Sequence, residues 1–254
     1  MKTDLEKIRA LLTADEDIII ETVAVTASTN EDIKAKAKAG APEISLLIAD
    51  KQTKGKGSKG RSFFSPDSTG CYMSFLLRPK LRPEECTLLT SIAAVATAEA
   101  IEKVTNKAAD IKWVNDIYMG GKKVAGILTE GAIINKDEIS YAVVGIGINL
   151  TVPEEGFPEE IKNIAGTLGT AEIKNELIAE IINRFVYYYR KLPDNSYIQA
   201  YRKRLFFLGK EITVIQGDNS FSAKAIDIDA MCRLRVSTHE GEKLLSAGEI
   251  SIKL

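Results

Sequence analysis

Histidine is almost missing from this 254-residue sequence: His239 is the only one. A Ser-His-Asp or Cys-His triad in the body of the chain therefore cannot be assembled, and neither can a histidine-rich metal centre. Cysteine is scarce too. Cys71, Cys86 and Cys232 are odd in number and set among apolar residues, a pattern of reduced thiols and not of a disulfide framework or zinc site. No run approaches the roughly 18 apolar residues of a membrane span, and the acidic N-terminus carries no signal-peptide stretch. The expectation is a soluble, cytoplasmic protein. An excess of one charge is also absent: 34 Lys+Arg face 35 Asp+Glu, for a net −1. Bulk attraction to DNA or to an anionic membrane is excluded, so any basic site must be local. An enzyme built from this composition must work with Lys, Arg, Asp, Asn and backbone groups.

What is present is ordinary globular material, 45% hydrophobic and 27% charged, in a length that suits one large domain plus a small appendage. Leu5, Ile8, Leu11 and Leu12 recur at helical spacing ahead of a strand over Ile18–Val25. Ser28-Thr29-Asn30-Glu31 has the form of a capping box and predicts a helix over Asp32–Ala39, stopped by Gly40. Ile44–Ala49 reads as a buried strand. Strand signals follow at Phe63-Phe64 and Cys71–Leu77, and Thr87–Val104 reads as a long buried helix. From 109 to 150 the texture becomes an antiparallel meander, with turns at Asn115-Asp116, Gly120-Gly121 and NKDE. Helical spacing returns over Ile173–Tyr189 and Tyr197–Arg204. Five or six short strands then close the chain from Lys210. The fold class is α+β, with a largely antiparallel mixed sheet and packed helices over 1–207, and a small SH3-like β-barrel over 208–254.

Three segments carry chemistry. Lys51–Arg61 holds five cations (Lys51, Lys54, Lys56, Lys59, Arg61), three glycines and no acid. A charge run is ordinarily a solvated loop, but glycines interleaved with cations are what a backbone cradle for phosphate needs. Gly55, Gly57 and Gly60 match a dinucleotide fingerprint, and Gly55 to Ser62 nearly matches a P-loop. Both motifs require a helix immediately afterwards. Here Phe63-Phe64-Ser65-Pro66 follows, so both fail on context and only an anion cradle between strands survives. In Ile111–Glu130, Asn115-Asp116 is common turn chemistry. Lys112 and Trp113 upstream, with Lys123 on the returning strand beside Gly126, instead suit Mg²⁺–phosphate chemistry. In Val143–Leu150 two glycines weaken a buried strand, which implies that something needs the space. Asn149, at its end, either reads an adenine edge or caps a turn.

Together these segments resemble the catalytic domain of biotin protein ligases, a class II synthetase-like fold. QTKGKGSKGRSFFSP (Gln52–Pro66) is similar to the family's glycine-rich loop, KWVNDIYMGGKKVAGILTE (112–130) to its K-W-P-N-D motif, and Gly145–Asn149 to G-I-G-I-N. Ser28-Thr29-Asn30 is a further family feature. The resemblance runs from about Glu21 to the C-terminal barrel. It implies an ATP-dependent ligase that converts biotin to biotinyl-5′-AMP and transfers it to a lysine of a biotin carboxyl carrier protein, with Mg²⁺ assisting. It also implies that Ser28, Thr29, Asn30, Gln52, Gly55, Lys56, Gly57, Ser58, Lys123, Gly126 and Gly145 meet biotin. Gly126 and Gly145 would make room for its rings and tail. Lys56, Ser58, Arg61, Trp113, Asn115, Asp116, Lys123 and Asn149 would meet ATP or the adenylate. Lys123, Lys56 and Arg61 would be catalytic, and Asp116 would touch Mg²⁺. No His base is required, and the acceptor lysine belongs to another protein.

The chain departs from the family pattern at Lys56 and Ser58, both ordinarily Arg, and Ser58 predicts a faster loss of the reactive adenylate. Val114 replaces the proline of K-W-P-N-D, a small conformational change, and Phe63-Phe64 replace the Trp region. Residues 1–27 are too few for the winged helix of the family's repressor members, so no DNA binding is expected. The resemblance allows a monomer or a homodimer. A lipoate-protein ligase is the nearest rival, and a non-enzymatic nucleotide or RNA binder a more distant one.

Overall fold

The computed structural model describes residues 2–13, 18–135, 137–192, 194–246 and 248–252. Helix α1 (Leu5–Ala10) is capped by the Asp4 side chain, which accepts from the Lys7 amide. Strand β1 (Ile19–Thr26) leads through α2 (Thr29–Lys38) to β2 (Ser45–Gln52), and β1 and β2 pair in parallel. Among the described residues, that crossover makes the only parallel pairing between strands of the large sheet. β3 (Gly70–Leu77), β4 (Asp110–Lys112), β5 (Asp116–Met119), β6 (Lys122–Asn135) and β7 (Glu138–Asn149) all join it antiparallel. The order across the seven strands is β1-β2-β3-β7-β6-β5-β4.

Strand alternation sends even and odd residues to opposite faces, and here the two faces have different cover. One face, with Leu46, Ile48, Met73, Phe75, Val144 and Ile146, packs in the main core beneath α3 (Cys86–Thr105) and α4 (Lys174–Arg190). α3 is buried almost all round because α4 and α5 (Tyr197–Lys203) lie over it as well. Its alanines permit that close approach. The other face packs Leu47, Leu76, Tyr141 and Val143 against Ile33 and Ala37 of α2. Helix α2 is short, so it covers only half of that face. The uncovered half holds the cavity described below.

The C-terminal strands β8 (Glu211–Gln216), β9 (Asn219–Ile228), β10 (Leu234–Thr238), β11 (Gly241–Leu245) and β12 (Glu249–Ile252) form a second, wholly antiparallel sheet in the order β11-β10-β9-β8-β12. The Trp113 indole N–H donates to the Cys232 carbonyl, between β9 and β10 of the second sheet, at 2.9 Å, and the Tyr201 hydroxyl of α5 donates to the Val114 carbonyl at 2.9 Å. Among the described residues, no helix is long and apolar enough to cross a membrane.

Three local expectations need correction. Helix α2 begins at Thr29, not Asp32, and Ser28 is its N-cap without a side-chain capping bond. The capping box does not close because Glu31 is drawn outward to Lys34 and Lys56. Phe63-Phe64 is extended but pairs with no strand; Phe63 instead turns its ring onto the sheet surface. Asp116 lies in β5 and the tight turn is Trp113–Asn115. The Trp113–Val114 peptide bond is cis.

Candidate active site

A cavity of about 540 Å³ opens on the uncovered half of the sheet, within the size range of small-molecule sites. Its floor follows from the G-I-G-I-N alternation: Ile146 and Ile148 point into the core, so Gly145, Gly147 and Asn149 face the cavity. Gly126 lies opposite Gly147 on β6. Four residues of β7 advance about 13 Å, which sets the length of the site.

At the Gly145 end stands a neutral hydrogen-bonded network. Gln52 Oε1 accepts from the Thr29 amide at 2.9 Å and from the Thr29 hydroxyl at 3.1 Å, and Gln52 Nε2 donates to Ser65 Oγ at 3.0 Å. Ser74 Oγ lies 2.7 Å from Thr29 Oγ1 and 2.6 Å from Asn30 Oδ1. Gly145 is bare to admit Asn30: a Cβ there would sit 2.1 Å from Asn30 Oδ1. In the middle, Phe63 lies over Gly147 and Gly126, where added Cβ atoms would meet its ring at 2.5 and 3.2 Å. These glycines make room for Asn30 and Phe63, and Gly126 and Gly145 also line the cavity.

Cations gather along one side, with Lys56, Arg61 and Lys123 all lining the cavity. Lys123 Nζ is 2.6 Å from Asp116 Oδ1, two strands brought together by the Gly120-Gly121 hairpin. Both glycines have positive φ, which that turn requires. The basic loop folds as a small hairpin in which Gly57 N donates to the Arg61 carbonyl at 2.7 Å and Phe63 N to the Gly55 carbonyl at 2.9 Å. Lys56 Nζ reaches Glu31 Oε1 at 2.6 Å. Hydrogen bonds from Lys34 and then Lys56 hold the Glu31 carboxyl down to about 2. A half-exposed pair of this kind contributes at most about 1 kcal/mol, so an incoming phosphate can displace it. Arg61 donates to Ser58 Oγ at 2.9 Å and pairs with Glu249 of β12; Lys59 reaches the same carboxylate at 3.4 Å. Burial pushes the Lys112 ammonium down from its ordinary range, with Asp116 opposing.

Thirteen of the expected residues line this one cavity: Ser28, Thr29, Asn30, Gln52, Lys56, Gly57, Ser58, Arg61, Asn115, Lys123, Gly126, Gly145 and Asn149. Asp116 reaches it through Lys123. Two do not line it. A Cβ on Gly55 would strike Phe63 O and Ser65 Oγ at 2.5 Å, so Gly55 serves loop closure. Trp113 is 3% exposed and bonded to Cys232, placing it at the seam between the sheets, beside a neighbouring cavity of about 230 Å³. Sequence reasoning missed Ser74, Glu130 and Gly147, although each left a signal. Ser74 is a lone hydroxyl in the apolar strand CYMSFLL, Glu130 ends the G-I-L-T-E run, and Gly147 is the second glycine of its motif. It also missed Ile161, Ile164 and Ala165, for which there was no signal. That wall is fixed by backbone pairing, Lys123 N to Ile164 O and Gly166 N to Lys123 O, both at 2.8 Å.

The cavity thus combines neutral hydrogen-bonding groups, a glycine-bearing floor and a cationic side. Known proteins resemble this chain over most of its length. The model of the biotin/lipoate A/B protein ligase family matches residues 22–149, and that of the biotin protein ligase C terminal domain matches residues 207–253. The bifunctional ligase/repressor BirA of Bacillus subtilis is 33% identical over 235 residues, covering 90% of this chain and 72% of that protein. The biotin–[acetyl-CoA-carboxylase] ligase of Mycobacterium tuberculosis is 29% identical over 243 residues, covering 91% and 88%. Among solved structures, the Aquifex aeolicus biotin protein ligase in complex with biotin and ATP superposes with a TM-score of 0.74 at 30% identity, over 92% of this chain and 97% of that one. On the matched models, the shared motifs and the common fold, this chain belongs to the biotin/lipoate A/B protein ligase family.

Proposed function

We propose that the protein condenses biotin with ATP to biotinyl-5′-AMP, releasing pyrophosphate, and transfers the biotinyl group to a lysine of a biotin carboxyl carrier protein. One observation carries this reading: a hydrogen-bonding network of uncharged side chains and a cluster of cations line one glycine-floored cavity. A ligand with a polar uncharged head, an apolar body and a carboxylate tail fits those environments. Lipoate offers no hydrogen-bonding head group, so Thr29, Asn30 and Gln52 would be left facing an apolar ring, at a cost in affinity.

In the first step the biotin carboxylate oxygen attacks the α-phosphorus of ATP and pyrophosphate leaves. Negative charge grows on the phosphoryl oxygens, and fixed donors stabilise it more than they stabilise the ground state. Lys123, Lys56 and Arg61 take that role. Their present partners Asp116, Glu31 and Glu249 hold them in place until phosphate oxygens replace those carboxylates. Asn115 and Asn149 border the nucleotide end. Among the described residues no cluster of three acids, histidines or cysteines stands ready for a metal. Mg²⁺ bound with nucleotide needs only one or two carboxylates plus phosphates. Asp116 fits that need, and the ion would neutralise phosphate charge. In the second step the carrier lysine attacks the acyl carbon and AMP leaves.

Residues 1–207 form the catalytic unit in this reading, and residues 208–254 the small β unit that meets the basic loop through Glu249. Biotin-dependent exchange of labelled pyrophosphate into ATP tests the proposal; exchange with lipoate but not biotin would overturn it.

A further inference from the structure

The G-I-L-T-E run ends in Glu130, a carboxylate without a role in the mechanism above. Its two oxygens have different partners. Oε2 accepts from Asn30 Nδ2 at 2.7 Å, and Oε1 accepts from Lys34 Nζ at 2.5 Å. Asn30 itself is 5% exposed and is held on the cavity side of bare Gly145. The oxygen and nitrogen of a primary amide are nearly identical in size, so its orientation is decided only by its partners. A carboxylate accepts and cannot donate. Lys34 donates to its other oxygen, so the amide nitrogen must face Glu130 and the Leu128 carbonyl (3.4 Å). Oδ1 is thereby turned to Ser74.

That orientation leaves the network short of a proton. Three oxygen–oxygen contacts link Gln52 to Thr29 (3.1 Å), Thr29 to Ser74 (2.7 Å) and Ser74 to Asn30 (2.6 Å). Each hydroxyl brings one hydrogen, so two hydrogens serve three contacts. Were Asn30 to flip, its Nδ2 would supply the missing donor and the network would close on itself. Glu130 forbids the flip.

We propose that Glu130 is a positioning residue. By fixing the amide of Asn30 it keeps this end of the cavity rich in acceptors and one donor short, so that the site takes a head group that donates N–H. This rests on the reading that the cavity binds biotin, whose ureido group carries two such donors. The same carboxylate draws together three motifs of the chain, S-T-N, G-I-L-T-E and G-I-G-I-N, at one amide.

The test is biotin binding by calorimetry in the absence of ATP, alongside steady-state KM values for biotin and ATP, for wild type and three variants. Glu130→Gln both donates and accepts, and so releases the amide. Its biotin Kd should rise by about tenfold or more, with the KM for ATP within about threefold of wild type, the scale of one hydrogen bond to a charged group. Asn30→Asp places two carboxylates face to face and should bind biotin more weakly still. In the double variant Asn30→Asp/Glu130→Gln the new amide at position 130 donates to the new carboxylate at position 30. The other oxygen of that carboxylate faces Ser74 as before, so affinity should recover at least about tenfold over Asn30→Asp alone. Unchanged biotin affinity in Glu130→Gln, or no recovery in the double variant, would overturn the assignment. A wild type that binds biotin while both comparisons fail removes this inference alone. A wild type that binds no biotin removes the functional reading, and this one with it.

Discussion

Lys123 is the residue on which most of the chemistry rests. Its ammonium is partly exposed at the cavity edge and packs into no core, so truncation removes charge without opening a void. Lys123→Ala should reduce biotin-dependent pyrophosphate exchange by at least about 100-fold, as loss of a preorganised charge-stabilising group does. The melting temperature should stay within a few degrees of wild type. Near-normal exchange in the folded variant would take Lys123 out of the mechanism. Gly145 makes a complementary case in which space, not charge, is the function. In Gly145→Ala the new methyl would overlap Asn30 Oδ1, so biotin affinity should fall while ATP affinity holds. Equal losses for both ligands in parallel titrations would argue for general disorder of the floor.

At the scale of elements, the basic loop is the part whose position is least fixed by packing. Lys59 adopts a left-handed conformation within the Ser58–Gly60 turn, and the loop's cations are held by half-exposed carboxylates from α2 and β12. Ser58 accepts from Arg61 and folds that side chain back along the loop. An arginine at this position adds a bidentate phosphate clamp. Ser58→Arg should therefore slow release of biotinyl-5′-AMP, measured by trapping free labelled adenylate after rapid filtration. An unchanged release rate would show that Ser58 does not set adenylate retention.

The elements also show what the sequence makes legible. The strands and helices are readable because their apolar periods survive into the fold: α3 from its alanine-rich run, and the meander from its glycine turns. The site residues are readable as motif members, and most of them do converge. Gly55 and Trp113 are the exceptions, because a motif records which residues travel together and not which face the ligand. Phe63 is legible as a hydrophobic wall at the family's Trp region, and only the placement of its ring is not. Its aromatic neighbours look like a strand, and only the bare surface at Gly126 and Gly147, strands away in sequence, explains where the ring goes. The wall at residues 161–165 depends on one backbone pairing with Lys123 that no side-chain pattern announces.

At the scale of the whole molecule, two sheets meet at a seam that holds the chain's single tryptophan. Trp113 emission should be blue-shifted and resistant to acrylamide in the native state. Trp113→Phe leaves the Cys232 carbonyl without its donor and should cost about 1–3 kcal/mol in urea unfolding. Stability should also fall at alkaline pH. Burial pushes the Cys71 thiol from 9.0 up to about 12, and the Cys232 thiol from 9.0 up to about 11. The unfolded chain releases these protons first, so between those limits the folded state binds more protons and loses stability as pH rises. The melting temperature should drop progressively above about pH 9; a flat profile to about pH 11 would show these thiols to be accessible. The central claim is that one cavity joins a neutral head-group site to a cationic phosphate site for carboxylate activation. Its most direct test is ATP–pyrophosphate exchange with purified protein, run with biotin, with lipoate and with neither, each in the presence and absence of Mg²⁺. The account predicts exchange only with biotin and Mg²⁺ together; exchange that is absent with biotin, or equally strong with lipoate, would contradict it.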